Sequence, residues 1–258
     1  MDTPPAIAVI PARLDSTRFP GKVLADLGGR PLLAWVYERV AAASRLSATW
    51  IATDSEPVAR AAREFTDQVF LSRTAHATGS DRVAELAATL GAPLVLNVQA
   101  DEPLIDPALI DALVERLASG ETPLVTAASP LMDVAGFLDP NVVKVVTDAA
   151  GDARYFSRAP IPWPRDTPLR PGDPWPPGLT AWRHLGVYGF QAAALAAFAA
   201  APQPEAERAE HLEQLRALHL GHRIRVLPWP NHGSGVDTPE GLARLRARLG
   251  FGSRPETC

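Results

Sequence analysis

The first residues that could do chemistry lie in a loop close to the start of the chain. An apolar run at residues 6–10 has the length of a buried strand, and Pro11 ends it because proline cannot donate to a sheet ladder. The loop that follows carries three cations and two hydroxyl groups, namely Arg13, Ser16, Thr17, Arg18 and Lys22. Cations and backbone N–H groups at the carboxyl end of a first strand suit the binding of a triphosphate. The alternative is a basic surface loop. In either case the segment after the predicted strand at residues 6–10 is not a Walker A loop, because no glycine stands five residues before Gly21 and no Ser or Thr follows Lys22.

Two carboxylates stand where they could hold a metal ion. Asp101 follows a nearly all-apolar segment, residues 93–98, that is typical of a central parallel strand. Asp237 lies far along the chain, in a Gly-rich turn that precedes a helix. If both reach the same edge of a sheet, they supply the one or two carboxylates that Mg²⁺ takes from a protein. Taken singly, Asp237 could equally be a helix cap and Asp101 a loop carboxylate.

The composition excludes several broad classes of protein. The chain of 258 residues has a net charge of -4 and a pI of about 5.9, which argue against a general nucleic-acid binder. Cys258 is the sole cysteine, so neither a disulfide nor a cysteine metal site can form within the chain. The start of the sequence lacks the basic and apolar regions of a signal peptide, and the apolar run 192–201 is too short to span a bilayer. We therefore predict a cytoplasmic protein that does not insert into a membrane.

The elements that must position these residues follow a repeating pattern in the first half of the chain. Strands are predicted at residues 6–10, 50–53, 68–71 and 93–98, and an amphipathic helix follows each of them. Ser55 and Ser80 are candidate caps for two of these helices, and Thr238 with Pro239 opens the last helix of the chain. Alternating strands and helices predict an α/β fold with a doubly wound, mostly parallel sheet.

The pattern changes near residue 120. Strands are predicted at 124–128, 142–146, 154–158 and 185–190 without long helices between them, and residues 205–219 read as one helix. Residues 160–184 contain eight prolines and three tryptophans. Such a long stretch indicates a segment that covers a site or forms an oligomer contact. The alternative is a surface excursion that packs on its own tryptophans. We predict a single domain over residues 1–258, with a smaller strand-rich subdomain at about residues 120–190.

Several motifs occur in order over almost the whole chain, and together they resemble the 3-deoxy-manno-octulosonate (Kdo) cytidylyltransferases, also called CMP-Kdo synthetases. The matching segments are Ile10-Pro-Ala-Arg13, Phe19-Pro-Gly-Lys22, Ala52-Thr-Asp54, Asn97-Val-Gln-Ala-Asp-Glu-Pro103, Asn141-Val-Val-Lys-Val-Val146, Tyr155-Phe-Ser-Arg158, Ile161-Pro-Trp163, Arg183-His-Leu-Gly186, Leu212-Glu-Gln-Leu-Arg216 and Gly235-Val-Asp-Thr-Pro-Glu240. One such segment alone would be a weak signal, whereas the ordered set is a strong one.

The resemblance implies transfer of CMP from CTP to Kdo, with release of pyrophosphate, for lipopolysaccharide biosynthesis. It also implies a nucleotide-diphospho-sugar transferase-like fold, Mg²⁺ as cofactor and a homodimer in which the strand-rich subdomain binds sugar and supports the dimer. The implied catalytic residues are Lys22, Arg18, Asp101 and Asp237, of which Asp101 and Asp237 hold the metal ion. The implied nucleotide-binding residues are Arg13, Ser16, Lys22, Arg73, Ser80, Ala100 and Asp101. The implied sugar-binding residues are Gln99, Arg158, Arg165, His184, Tyr188, Glu210 and Glu213.

Some of these positions carry features of their own. Arg73 and Ser80 could read the edges of cytosine, in a loop with Gly79-Ser-Asp-Arg82 where the commoner family pattern is Gly-Thr-Glu-Arg. Ala100 replaces the usual glycine, and its Cβ limits the close approach of a nucleotide. Glu210 and Glu213 are three residues apart, so they are expected to share one helix face. No covalent nucleophile is expected from Cys258 or Ser157.

Other functions remain open at this point. A related acidic sugar, such as 8-amino-Kdo or a sialic acid, could replace Kdo. A nucleotide-sugar-binding regulator without turnover is a second possibility, although Lys22, Asp101 and Asp237 speak against it. A nicotinamide oxidoreductase is disfavoured because no Gly-x-Gly-x-x-Gly follows the first strand.

Overall fold

The computed structural model describes residues 5–14, 19–74, 76, 78–230 and 235–251. Its strands are β1 (Ala6–Pro11), β2 (Asp26–Leu27), β3 (Arg30–Pro31), β4 (Leu46–Thr53), β5 (Val69–Leu71), β6 (Leu94–Val98), β7 (Leu124–Leu131), β8 (Lys144–Thr147), β9 (Ala153–Ser157), β10 (Ala181–Gln191) and β11 (Ile224–Pro228). Its helices are α1 (Leu32–Ala41), α2 (Glu56–Ala62), α3 (Gly79–Leu90), α4 (Pro107–Ala118), α5 (Val134–Leu138), α6 (Ala192–Ala200), α7 (Glu205–Glu210), α8 (Gln214–His219) and α9 (Pro239–Arg248), with a 3₁₀ turn at Lys22–Leu24.

The chain forms two compact units. The N-terminal unit contains residues 2–111 together with residues 233–258, and the central unit contains residues 112–232. The predicted subdomain at 120–190 falls within the central unit, and its role in sugar binding and dimerisation stays a prediction.

The N-terminal unit is built on four parallel strands in the order β6-β1-β4-β5. β1 is buried along nearly its whole length, as are β6 and the apolar faces of α1, α2 and α3. Parallel strands need crossover connections, and helices supply them here. The predicted α/β class with a mostly parallel sheet is confirmed.

The central unit has a mixed sheet. Its longest strand, β10, pairs antiparallel with both β7 and β8, while β11 runs parallel to β7 and β9 pairs antiparallel with β8. The pairing of β10 with β7 is irregular between Leu185 and Tyr188, which marks a β-bulge. The expected strands are present, and the short helix α5 between β7 and β8 is an addition that the sequence patterns did not predict.

The single helix predicted at residues 205–219 is wrong, because the structure has two helices there. α7 ends at Glu210, and His211 takes a left-handed conformation with φ 51° and ψ 48° before α8 begins. The two helices are joined by a buried ion pair in which Arg216 donates to both carboxylate oxygens of Glu207, at 2.6 and 2.8 Å. The Arg216 guanidinium also lies 4.5 Å from the centre of the Phe198 ring, within the range of a cation–π contact. Because α7 ends at Glu210 and Glu213 lies just before α8, these two glutamates do not share a helix face.

The proline-rich segment has no helix or strand from residue 160 until β10 begins at Ala181. Trp175 packs edge-on against Phe137 at 5.6 Å and donates through its indole N–H to the Leu179 carbonyl at 3.1 Å. Trp163, by contrast, is half exposed. Part of this segment is thus anchored on the small core around α5.

Within the described ranges, every helix is too short or too polar to cross a membrane.

Candidate active site

The centre of the candidate site is Lys22, at the start of the 3₁₀ turn in the N-terminal unit. Gly21 precedes it with φ 70°, a left-handed conformation that glycine adopts without steric cost, and its N–H donates to the Leu14 carbonyl at 2.9 Å. The Lys22 ammonium donates to the carboxylate of Asp101 and, at 3.0 Å, to Oδ1 of Asp237. The predicted convergence of Asp101, Asp237 and Lys22 is confirmed.

The segment before α9 brings Asp237 to this place. The Val236 N–H donates to the Asp101 carbonyl at 2.8 Å, and the Val236 side chain is buried. A Cβ on Gly235 would lie 3.0 Å from Oε1 of Glu102 and 3.5 Å from the Asp101 carbonyl oxygen. Glycine thus lets this backbone lie directly against the residues that follow β6. As predicted, Thr238 caps α9 through its side chain, with Pro239 at the first helical position.

The electrostatics of this centre keep Lys22 charged. Burial lowers the pKa of the Lys22 amine, but attraction to Asp101 and Asp237 and their hydrogen bonds outweigh burial and raise the pKa above its ordinary value. Two carboxylates share one ammonium, so the group of three keeps one negative charge. A divalent cation fits such a pair, because Mg²⁺ takes only one or two carboxylates from a protein and completes its shell with water and phosphate oxygens. In the described part of the chain, three or more metal-binding side chains do not gather anywhere.

A second group of polar residues lines a cavity of about 350 Å³ in the N-terminal unit, a volume within the range of small-molecule sites. The lining residues are Arg13, Leu14, Asp54, Ser55, His76, Thr78, Gly79 and Arg82. Arg82 is buried and forms an ion pair with Asp54. Of the lining residues, only Arg13 was a predicted site residue. Asp54 had two signals, its position directly after a predicted strand and its place in the matching segment Ala52-Thr-Asp54.

The loop expected to read the base is held by its own hydrogen bonds. Ser80 was predicted as a helix cap, but Thr78 is the cap, in a reciprocal capping box with Asp81. Ser80 lies inside α3, buried, and its hydroxyl accepts from the Asn97 side chain at 3.2 Å. Ser72, which precedes the helix, donates to the carboxylate of Glu85 in α3 at 2.6 Å, and His76 contacts the same carboxylate at 2.7 Å. The hydrogen bond from Ser72, helped by His76, lowers the pKa of Glu85.

In the central unit, the predicted sugar-binding residues Arg158 and Glu210 bond to each other and to nearby backbone. The Glu210 carboxylate accepts from the Ser157 hydroxyl at 2.7 Å and from the Arg158 N–H at 2.9 Å. The Arg158 guanidinium donates to the Glu210 carbonyl at 2.6 Å and to the Pro140 carbonyl at 3.0 Å. Both side chains thus hold the end of β9 against the end of α7.

Two further predicted sugar-binding residues lie together on β10. The ring centres of His184 and Tyr188 are 5.3 Å apart, and the ring centres of His184 and Phe156 are 4.9 Å apart with the two planes at 76°. His184 is buried and contacts the Thr126 hydroxyl at 3.0 Å. Removal of the Tyr188 hydroxyl from water, and then the negative charge of Glu213, raise its pKa well above the ordinary value. Tyr188 therefore remains a protonated hydroxyl at neutral pH.

The remaining predicted residues have these positions. Arg13, Arg73 and Arg165 are exposed, Gln99 and Glu213 are half-buried, and Ala100 is buried. Ser16 and Arg18 lie outside the described residues. The roles assigned to all the site residues stay predictions.

Comparison with known proteins decides the family. A family model described as "Cytidylyltransferase" matches residues 7–224. A protein of Syntrophotalea carbinolica named 3-deoxy-manno-octulosonate cytidylyltransferase is 46% identical over 243 residues, which are 94% of this chain and 97% of that one. One of Solibacter usitatus with the same name is 48% identical over 240 residues, covering 93% and 92% of the two chains. The chain belongs to the 3-deoxy-manno-octulosonate cytidylyltransferase family.

A solved structure agrees with this membership. The structure of CMP:2-keto-3-deoxy-manno-octonic acid synthetase complexed with CTP superposes with a TM-score of 0.87 at 34% identity, covering 95% of this chain and 98% of that chain. The resemblance found in the ordered motifs is therefore confirmed.

Proposed function

We propose that the protein transfers CMP from CTP to Kdo and releases pyrophosphate. The observation that carries this proposal is the meeting of Asp101 and Asp237 on the ammonium of Lys22, in a chain whose relatives bear the name of that activity over more than nine-tenths of its length. In the reaction, the anomeric hydroxyl oxygen of the sugar attacks the α-phosphorus of CTP. An oxygen–phosphorus bond forms, the bond from that phosphorus to the oxygen that bridges it to the β-phosphorus breaks, pyrophosphate leaves with that oxygen, and the hydroxyl proton passes to solvent.

Such a transfer needs positioning and charge stabilisation more than covalent catalysis. Lys22 supplies a charge that its two carboxylate neighbours keep protonated. An ammonium has three N–H donors, and Asp101 and Asp237 take two of them. We assign the third to an oxygen of the triphosphate, where the positive charge stabilises the charge that develops on the leaving pyrophosphate. Arg18 is proposed to assist Lys22, and Arg13 and Ser16 to hold the triphosphate.

Magnesium is the proposed cofactor, and Asp101 with Asp237 would hold it. When bound, Mg²⁺ supplies neutralisation of phosphate charge and acidification of a hydroxyl group. The support is the pair of carboxylates on one cation, with a net negative charge on the group of three.

For the substrates, we propose that Arg73 and Ser80, with the backbone at Ala100, read the cytosine, and that the sugar-binding set holds Kdo. Tyr188 carries a protonated hydroxyl, and we propose that this hydroxyl donates to the sugar. Arg158 and Glu210 form hydrogen bonds with each other's side chain and backbone. We propose that they support sugar binding partly by fixing the backbone at these two positions.

The deciding experiment is a turnover assay. The purified protein is incubated with Mg²⁺, CTP and Kdo, pyrophosphate is measured, and the nucleotide product is identified by mass spectrometry. We expect CMP-Kdo and pyrophosphate in equal amounts, and little product when UTP replaces CTP. Product with a sialic acid or 8-amino-Kdo but none with Kdo would overturn the sugar assignment, and CTP binding without any turnover would indicate a regulator.

A second experiment tests the carboxylates. Asp101→Asn and Asp237→Asn each remove one negative charge while keeping the shape of the side chain. We expect each variant to fold and to lose most of its turnover together with its response to added Mg²⁺. Asp67→Asn is the matched control, because Asp67 is an exposed carboxylate of the same unit. Wild-type turnover in either test variant would remove the metal assignment.

We also propose a homodimer in the cytoplasm that serves lipopolysaccharide biosynthesis. The support for a dimer is the exposure of large apolar side chains in the central unit, with Met132 69% and Trp163 51% exposed. Light scattering coupled to size exclusion is expected to give twice the mass of 27.6 kDa. A monomer at micromolar concentration would contradict the dimer.

A further inference from the structure

The cavity of the N-terminal unit contains a buried donor that the protein itself does not use. Arg82 is 3% exposed and its guanidinium bonds to Asp54, but its Nε–H has no acceptor among the residues that the structure describes. A buried polar group without a partner is costly, so it needs an explanation. Because Arg82 lines the cavity, this unused donor indicates that the cavity takes a ligand with an acceptor atom.

The ring of His76 lines the same cavity and is held through one of its nitrogens. Its Nε2 atom lies 2.7 Å from Oε2 of Glu85 and 3.2 Å from the Ser72 hydroxyl, which itself donates to Glu85 at 2.6 Å. The Ser72 N–H donates to the Thr53 carbonyl at 2.8 Å, so these contacts reach back to the end of β4. The imidazole is therefore fixed between β4 and α3, with 12% of the side chain exposed.

The hydrogen on this ring can be assigned from the charge of Glu85. The hydrogen bond from Ser72 lowers the pKa of Glu85, which is an ionised carboxylate at neutral pH. An ionised carboxylate only accepts, so Nε2 of His76 carries a hydrogen and donates it to Glu85. In a neutral imidazole the other nitrogen, Nδ1, then holds the lone pair. Across the described part of the chain, His76 makes its polar contacts through Nε2 alone, which leaves Nδ1 as an unused acceptor.

The proposed base-reading side chains leave one group of cytosine without a partner. Cytosine offers an amino group as a donor, and its N3 and O2 atoms as acceptors. Arg73 has only donors. The Ser80 hydroxyl oxygen already accepts from Asn97 at 3.2 Å, so its hydrogen is left to donate. Both side chains therefore suit N3 and O2, and the amino group still needs an acceptor.

We propose that His76 is a specificity-determining residue whose Nδ1 accepts a hydrogen bond from the amino group of cytosine, in the cavity that Arg82 also lines. Uracil has a carbonyl oxygen in place of the amino group, and two facing lone pairs repel, so the same ring selects CTP against UTP. The carboxylate in the lining, Asp54, is already paired with Arg82. The inference rests on the proposed function in taking CTP as the nucleotide, whereas the hydrogen on the ring is assigned from the contacts alone.

A cycle of one substitution and one change of nucleotide isolates this hydrogen bond. The nucleotide is the 5′-triphosphate of 2-pyrimidinone riboside, which has a hydrogen atom in place of the amino group. His76→Gln places an amide where Nε2 lies and removes the acceptor at Nδ1. By isothermal titration calorimetry with Mg²⁺, we expect the wild-type protein to bind CTP about tenfold more tightly than the analogue, as for one hydrogen bond. The His76→Gln variant is expected to bind both equally.

Two further variants make the comparison sharper. His76→Asn places its amide near the position of Nδ1, so its oxygen supplies an acceptor again, and we expect part of the preference for CTP to return. His219→Gln is the matched control, because His219 is an exposed histidine at the end of α8 in the central unit. This control is expected to keep the wild-type preference.

The tautomer is measured without any nucleotide. The chain has six histidines, so protein labelled with ¹⁵N-histidine gives few ring signals in a long-range ¹H–¹⁵N correlation spectrum, and His76→Gln identifies those of His76 by their loss. At a pH at which the ring is neutral, we expect a pyrrole-type shift for Nε2 and a pyridine-type shift for Nδ1. The opposite assignment would overturn the proposal.

The outcomes separate this proposal from the proposed function. Equal losses of affinity for CTP and the analogue in His76→Gln would mean that the ring only supports the fold, and would overturn the proposal. A preference for CTP that survives in this variant would overturn it too, because the amino group is then bound elsewhere. If His76→Gln does not fold, equal binding of the two nucleotides by the wild-type protein still contradicts the proposal. Absence of turnover with Kdo counts against the proposed function and leaves these binding measurements unaffected.

Discussion

The two lysines of the chain, Lys22 and Lys144, are each enclosed by one of its two units, and their surroundings are opposite in character. Lys22 in the N-terminal unit is held by two carboxylates and keeps 16% of its side chain exposed. Lys144 in the central unit is fully buried and donates to the carbonyl oxygens of Asp139, Val142 and Arg158, at 3.0, 2.6 and 2.6 Å.

The difference is whether the ammonium can still bind a ligand or whether the protein already accepts all of its hydrogen bonds. The three donors of Lys144 are all taken by backbone carbonyls, so its chemistry is complete without a ligand. Around Lys22 two carboxylates face the ammonium in partly open surroundings, so this group stays accessible to a ligand. This contrast indicates why both lysines lie in motifs of the family although only Lys22 is proposed to touch a substrate.

The largest expected effect follows Lys22→Met. Loss of the ammonium removes charge stabilisation from the triphosphate, so we expect kcat/KM to fall about 10²–10³-fold, as when one preorganised donor is lost. The free energy of unfolding should change much less, because methionine fills a similar volume and the two carboxylates keep contact with water. Steady-state kinetics and urea denaturation measure the two effects. A variant that keeps its activity would break the contrast between the two lysines.

Lys144→Met should show the reverse pattern. Three buried carbonyl oxygens lose their donor, so the free energy of unfolding should fall by about 1–3 kcal/mol. The folded fraction should retain activity, since Lys144 is not proposed to contact a substrate. Urea denaturation gives the stability, and assays normalised to folded protein give the turnover. Full stability in this variant would mean that the three hydrogen bonds contribute little.

The two amines should also titrate in opposite directions from their ordinary pKa of 10.5. Burial, partly offset by Asp139 and Glu210, lowers the pKa of Lys144, while the two carboxylates raise that of Lys22. With ¹³C-lysine labelling, only two side-chain signals are expected, and each can be followed against pH. Both signals titrating on the same side of 10.5 would contradict the assignment.

These shifts have consequences for stability above neutral pH. The stabilising contribution of Lys22 is fully present below 10.5 and is lost as the pH rises through its raised folded-state pKa. The cost of charging Lys144 is present at low pH and disappears as the pH rises from its lowered pKa towards 10.5. In Lys22→Met, stability should therefore fall less steeply with pH than in the wild type.

The smallest effect is expected for Arg30→Met. Arg30 belongs to the same unit as Lys22 and forms an exposed pair with Glu38 through two hydrogen bonds of 2.6 and 2.9 Å. Exposed pairs contribute at most about 1 kcal/mol, so stability should change little and turnover not at all. This variant is the control for Lys22→Met. A large loss of activity here would mean that removing any cation from the unit impairs it.

Much of the N-terminal unit could be predicted from the sequence because its signals are local. The apolar segment before Asp101 predicted a strand that the structure places at Leu94–Val98, and Thr238 with Pro239 predicted the start of α9. The meeting of Asp101 and Asp237 followed from the rule that parallel strands end at one edge, together with the resemblance to a known family.

The parts that escaped prediction depend on contacts between distant residues. No glycine or proline marks the break between α7 and α8, and the chain turns at His211 where Arg216 bonds to Glu207 and where the Glu210 carboxylate binds Ser157 and Arg158. Tertiary contacts here override helix propensity.

The N-terminal unit is assembled from two stretches of the chain that are synthesised at different times. The unit is discontinuous, since the segment that carries Asp237 belongs with residues 2–111 but is encoded after the central unit. On the ribosome, Lys22 and Asp101 emerge before the central unit, and the backbone bond from Val236 to Asp101 can close only after the central unit has been synthesised. A nascent chain, or a product truncated before residue 235, therefore lacks one of the two carboxylates that are proposed to hold the metal ion.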